Sequence, residues 1–250
     1  MTQLQNQFKK LQTFGCSLTL GDDISDKDKI WPSILSKKLN LQLENFGYSN
    51  ASNQSIADKV VECIDYKALV IVSWTSQFRH QVFYNKDKID YNILQYKQNK
   101  VVSCNEKLVP MPNAIKNLTN YQKFFIDEEN YYKQFLQTVL WLQTFLKNNG
   151  VKFIFVYGNS MSTSFIKSNW NVKPQITKNL YQPNQLVKNY KFIKSISTKS
   201  FVDFYKPHKS FWETCISKNF ELGITRHPLE KGHEYWAKYL HKKLAKQFNI

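Results

Sequence analysis

Arginine is nearly absent from this chain: Arg79 and Arg226 are the only two among 35 basic residues. The formal charge of +16 is therefore almost wholly lysine. Those lysines are spread along the chain and form no single basic block. That argues against nucleic acid as a partner, because phosphate contact needs clustering more than net charge. The accompanying wealth of Asn, Ile, Tyr and Phe matches the codon usage of an A+T-rich genome. Where lysine is the default cation, the two arginines mark places that need a planar, forked donor.

Paired cysteines, linkers and long apolar runs are also missing. Cys16, Cys63, Cys104 and Cys215 show no CxxC spacing, so neither a metal site nor a disulfide framework is expected. No apolar run approaches the ~18–20 residues that cross a bilayer. The polar start, Met1 to Lys10, lacks the apolar core of a secretory signal, so a cytoplasmic protein without export is expected. With no Pro/Gly- or Ser-rich linker and no internal repeat, residues 1–250 read as one domain.

What is present is an alternation of strand and helix signals. Leu11 to Phe14 is an apolar run ending in the small-residue turn Gly15-Cys16-Ser17. Trp31 to Leu39 reads as a helix with Pro32 in its first turn. Leu41 to Phe46 alternates as a strand, and a helix from about Asn53 sets Ile56, Val60 and Ile64 on one face. Ala68 to Ser73 is a continuous apolar run, as in a strand buried on both sides. The order β, α, β, α, β implies a parallel sheet.

Residues 80–126 are polar and aromatic without sustained periodicity, and are expected to form loops and short helices outside the core. Asp127 then caps a long helix whose Tyr132, Phe135, Leu136, Val139, Leu140, Leu142 and Leu146 make a broad apolar face. Asn148-Asn149-Gly150 stops it, and Val151 to Tyr157 is the fourth strand. Residues 158–220 are loop-rich. A closing helix, from about Leu229 to Phe248, turns Trp236, Leu240 and Leu244 inward.

A serine in a small-residue turn at the carboxyl end of the first strand is where an α/β protein places a nucleophile. His227, in a loop just before the closing helix, offers the imidazole that takes a hydroxyl proton in acyl transfer. Cys16 is expected to point opposite to Ser17 and to pack. His233 is expected to pack or cap at the start of the last helix.

Taken in order, four blocks resemble the SGNH (GDSL-like) hydrolase superfamily, and more narrowly the SGNH-like proteins of bacteriophages and bacteria with an FGCSxT opening. They are Phe14-Gly15-Cys16-Ser17-Leu18-Thr19 with Gly21-Asp22, Asn45 to Asn53, Val72 to Arg79, and His227-Pro228 with Gly232-His233 and Trp236-Ala237. The resemblance implies a flavodoxin-like three-layer α/β/α sandwich around a mainly parallel sheet. It also implies ester hydrolysis without metal or cofactor, with an O-acetyl group on a carbohydrate as the candidate substrate.

Residue by residue, the resemblance makes Ser17 the nucleophile and its N–H an oxyanion donor. Asn50 falls where the second block has glycine and would supply a backbone amide, since asparagine tolerates left-handed turns. Thr75 stands in place of the third block's asparagine, and Asn53 is either a second side-chain donor or a helix cap. Arg79 and Trp74 are candidate substrate contacts, although the spacing of Trp74 also suits core packing.

His227 is the general base, but the family's aspartate two or three residues ahead is missing: Thr225 and Ile224 stand there. Glu221 or Asp203 is expected to substitute, or a backbone carbonyl to orient the ring. That departure, with the altered second and third blocks, leaves two alternatives to hydrolysis: a catalytically silent binding or virion-associated protein, and an acyltransferase. The expected partner is a small-molecule or glycan ester, met in a host cytoplasm or virion if the gene is phage-borne. The insertions around 80–126 and 158–220 are expected to surround the pocket mouth.

Overall fold

The computed structural model describes residues 7–84, 87–92, 100–103, 108–110, 113, 117, 128–159, 190–206 and 209–248. Strand β1 (Lys10–Gly15) lies inside a four-stranded sheet of order β2-β1-β3-β8, with β2 (Gln42–Gly47), β3 (Leu69–Trp74) and β8 (Lys152–Tyr157). All neighbouring pairs are parallel. Every residue of β3 is buried, in keeping with its unbroken apolar run. In the edge strand β2 only Gly47 is buried.

The helices are α1 (Ser17–Leu20), α2 (Trp31–Leu39), α3 (Asn53–Cys63), α4 (Glu128–Asn148), α5 (Phe211–Ser217) and α6 (Glu230–Phe248). The chain steps from β1 outward to β2 through α2, then back across β1 to β3 through α3. Right-handed crossovers in opposite directions put those two helices on opposite faces of the sheet. Helix α6 packs on α2, and α4 packs on α3, which completes a three-layer α/β/α arrangement. The inward face of α4 is as its spacing predicts, with Tyr132, Phe135, Leu136, Val139, Leu142 and Leu146 buried and Leu140 partly so. Gly150, at φ +68°, ends the connection into β8. Asp127 lies outside the described residues.

The segment expected as loops and short helices contains a second sheet instead. Strands β4 (Arg79–Tyr84), β5 (Asp87–Asn92), β6 (Lys100–Ser103) and β7 (Leu108–Pro110) pair antiparallel in sequence order. The missing periodicity has a physical cause. Ile89, Asp90 and Tyr91 are consecutive and all buried, at 3%, 5% and 1% exposure. A strand buried on both faces with a carboxylate in its middle shows no alternation. Most of the remaining insertion residues lie outside the described ones. In the second insertion the structure holds a 3-10 turn, Lys191–Ser195, and α5. No described helix is long and apolar enough to cross a membrane.

The strand ends beneath α1 are tightly packed. A Cβ on Gly47 would lie 2.5 Å from the Leu20 amide nitrogen and 2.8 Å from the Thr19 carbonyl carbon. Those are backbone atoms that cannot swing aside. Gly47→Ala is expected to lower stability by about 1–3 kcal/mol. The measurement is a urea titration with an earlier midpoint and an unchanged slope; an unchanged midpoint would mean that α1 yields freely.

Candidate active site

The carboxyl ends of parallel strands gather their loops at one edge, and here they bring together residues far apart in sequence. Cys16, extended and buried, ends β1 and caps α1, so that Ser17 opens the helix at 3% exposure. His227 Nε2 lies 2.8 Å from Ser17 Oγ. Its loop is a tight turn: Gly223 N–H donates to the His227 carbonyl at 2.8 Å, and Arg226 N–H to the Gly223 carbonyl at 3.0 Å. Leu222 and Pro228 close it with an antiparallel bridge.

The carboxylate beside this histidine is Asp23. Its Oδ2 accepts from the Thr225 amide at 2.8 Å, the Thr225 hydroxyl at 2.7 Å and the His227 amide at 3.5 Å. Thr225 Oγ1 is also 2.6 Å from His227 Nδ1, which stands 3.8 Å from Asp23 Oδ2. The bond directions follow from the donors available. Thr225 has one hydroxyl proton and gives it to the carboxylate, so its oxygen accepts from Nδ1–H. That tautomer leaves Nε2 bare toward the Ser17 hydroxyl. Gly223 makes the approach possible, since a Cβ there would sit 2.4 Å from Asp23 Oδ2.

The acids expected from the sequence are elsewhere. Asp203 accepts from the Tyr239 hydroxyl and from Lys243 Nζ, the latter at 3.1 Å, which ties it to α6. Glu221 is exposed and meets the loop through its main-chain carbonyl, which accepts from Leu229 N–H. Asp23 lies six residues after the serine, in an acidic loop and not in the histidine's own segment, so the local pattern around His227 does not point to it.

Asn50 has φ +62°, the left-handed conformation that asparagine tolerates. The Asn53 side chain is fully engaged: Nδ2 donates to the carbonyls of Thr75 and Ser76, and Oδ1 accepts from Thr75 N–H. It is therefore neither a free donor nor the cap of α3. Ser52 is the cap, accepting from Ser55 N–H. Thr75 Oγ1 is buried without a partner among the described residues, so it does not reach the surface as a donor. Trp74 is wholly buried edge-on against Phe135 and Phe155, a core residue and not a substrate contact. Arg79 is 7% exposed, with Nη1 toward the Ala51 carbonyl at 3.5 Å.

Charges balance around the imidazole. Burial lowers the pKa of His227; Asp22 and Asp23 pull it up and Arg79 pushes it down, with a net value below 6.5. Ser49 Oγ holds Asp22 at 2.5 Å. Burial would raise Asp23, but donation from Thr225 and His227 keeps its carboxyl below the usual range. His233 lies beneath, its Nδ1 accepting from Trp31 N–H at 2.9 Å and its ring edge-on to Phe211. Burial pushes its pKa down to about 3.

The sequence matches no protein-family model and no curated protein. Solved structures do match. A carbohydrate esterase family 2 enzyme with a carbohydrate-binding domain, from Corynascus thermopiles (Myceliophthora fergusii), superposes with a TM-score of 0.52 at 12% identity, over 97% of this chain and 67% of that one. The lipase/acylhydrolase of Enterococcus faecalis gives 0.49 at 12% identity, over 96% and 97%. A lipolytic protein of the G-D-S-L family from Veillonella parvula DSM 2008 gives 0.46 at 16%, over 96% and 98%. At these identities the likeness is one of fold. The fold shared with the carbohydrate esterase is an α/β/α sandwich around a parallel sheet.

A neutral His233 has a consequence for stability. Its folded pKa of about 3 lies below the ordinary 6.5, so its contribution is complete above pH 6.5 and is lost as pH falls toward 3. Denaturant titrations across that window should show stability falling by up to about 1.4 kcal/mol per pH unit from this group. His233→Phe should flatten the slope, and a wild-type curve already flat would contradict a neutral buried ring.

Proposed function

We propose that this SGNH-fold chain is a serine-dependent ester hydrolase, with Ser17 as nucleophile, His227 as general base and Asp23, acting largely through Thr225, as the acid that orients it. The observation that carries the reading is the unbroken run of contacts from Ser17 Oγ to His227 Nε2, and from Nδ1 through Thr225 Oγ1 to Asp23 Oδ2. Ser17 Oγ attacks the acyl carbon while Nε2 takes its proton. The N–H groups of Ser17 and Asn50 receive the oxyanion. Collapse expels the alcohol, which takes the proton back from His227, and water then attacks the acyl-serine by the same route. Asp23 keeps its charge throughout and stabilises the imidazolium.

An O-acetyl group on a carbohydrate is the proposed substrate. The four-block resemblance and the fold shared with a carbohydrate esterase support it. A catalytically silent binding protein is the second reading, favoured by the buried hydroxyl of Thr75 where a side-chain oxyanion donor would stand. Acyl transfer to a sugar uses the same serine chemistry with a different acceptor.

A fluorophosphonate probe separates the first two readings. Wild-type protein should gain one phosphonyl group on Ser17 by intact mass, and Ser17→Ala and His227→Ala should gain none. Asp23→Asn should slow labelling by about 10³-fold or more, as loss of a triad acid does. Thr225→Val, which leaves the direct Asp23 contact, should cost about 10–100-fold. The wild-type rate should hold through neutral pH and fall only below pH 6.5, and Asp23→Asn should move that limb lower, since Asp23 raises the base. Folded wild-type protein without an adduct would favour the silent binder.

A further inference from the structure

The second sheet meets the proposed oxyanion loop through two buried side chains, Asp90 of β5 and Arg79 of β4. Asp90, on β5 and 5% exposed, accepts from Tyr48 Oη at 3.1 Å, from the Ser52 amide at 3.3 Å and from Ser55 Oγ at 2.5 Å. Its main-chain carbonyl accepts from Asn50 Nδ2 at 3.1 Å. Ser55 Oγ in turn accepts from Gln81 Nε2 of β4 at 2.5 Å. Among the described residues no cation pairs with this carboxylate; neutral donors converge on it. Burial raises the pKa of this carboxyl, and the donors from Ser52, Ser55 and Tyr48 pull it back down.

These bonds bracket Asn50. Tyr48, Asn50 itself and Ser52 are each tied to Asp90, while the carbonyl of Ala51 faces Arg79 at the start of β4. A left-handed asparagine costs about 1 kcal/mol or more and persists only where its surroundings over-determine it. The direction of its amide is set by the same backbone. We infer that Asp90 is a positioning residue for the oxyanion loop, so that the β4–β5 hairpin is a working part of the site and not a cover over it. This rests on the hydrolase reading above, in which the Asn50 amide receives the oxyanion.

The test follows phosphonylation of Ser17 in the full chain, resolved into probe affinity and maximal rate, beside amide hydrogen exchange at residues 48–55. Asp90→Ala should lower the maximal rate by about 30–100-fold, approaching the loss of one oxyanion donor. Probe affinity should stay within about threefold while exchange at 50–52 quickens. Asp90→Asn, which keeps one acceptor, should recover part of the rate. A folded Asp90→Ala protein with wild-type rate and wild-type exchange would overturn the inference. Where Asp90→Ala does not fold, Ser55→Ala removes one donor to Asp90 together with the acceptor of Gln81: a rate lowered about 3–10-fold supports the clamp, and an unchanged rate with unchanged exchange overturns it. A wild-type chain that takes no adduct overturns the hydrolase reading instead, and removes the oxyanion role of Asp90 with it.

Discussion

The imidazole of His227 rides on a small turn, and one carboxylate oxygen fastens that turn to the first βα connection. Oδ2 of Asp23 takes two amides and a hydroxyl from the segment 225–227. It therefore sets the place of the ring and, with Asp22, raises a pKa that burial and Arg79 lower. The aspartate is itself held from the other side, where Lys27 Nζ donates to the carbonyls of Gly21 and Ile24 at 2.9 Å each. Asp23 has φ +68°, a left-handed conformation that such a frame sustains.

Much of the sandwich was legible in the residues because its strands and helices obey simple periods. The runs at Leu69 and Phe153 are buried through, and Ile56, Val60, Leu136 and Val139 face inward at helical spacing. The hairpin was not legible, since Asp90 lies between two buried apolar residues for a tertiary reason that no local pattern encodes. At the site, Ser17 and His227 could be singled out, but the carboxylate beside them could not. A search confined to the histidine's own segment finds Thr225 and sees a gap. In space Thr225 is the bridge across it, and the carboxylate arrives from a loop 204 residues away. The Gly21-Asp22-Asp23 run four to six residues after the serine was the available signal.

Asn53 shows how a motif residue can serve a site without facing it. Its amide is spent on the backbone of Thr75 and Ser76, which fastens the loop after β3 to the start of α3. Arg79 is similar, a buried cation under Ala51 whose field reaches His227. In a chain so rich in lysine, the cation chosen beneath the active edge is the planar one, whose delocalised charge is less costly to bury.

Ser17 and His227 meet across 210 positions of sequence. During synthesis the serine is made long before the histidine, and β1, β2 and β3 can pair while Ser17 is still an ordinary alcohol. Only when the late loop folds back on Asp23 does the hydroxyl meet the His227 ring. A contact of such sequence separation forms late and at a high entropic cost. A nascent chain therefore carries Ser17 without its imidazole partner until the loop that holds His227 has been made.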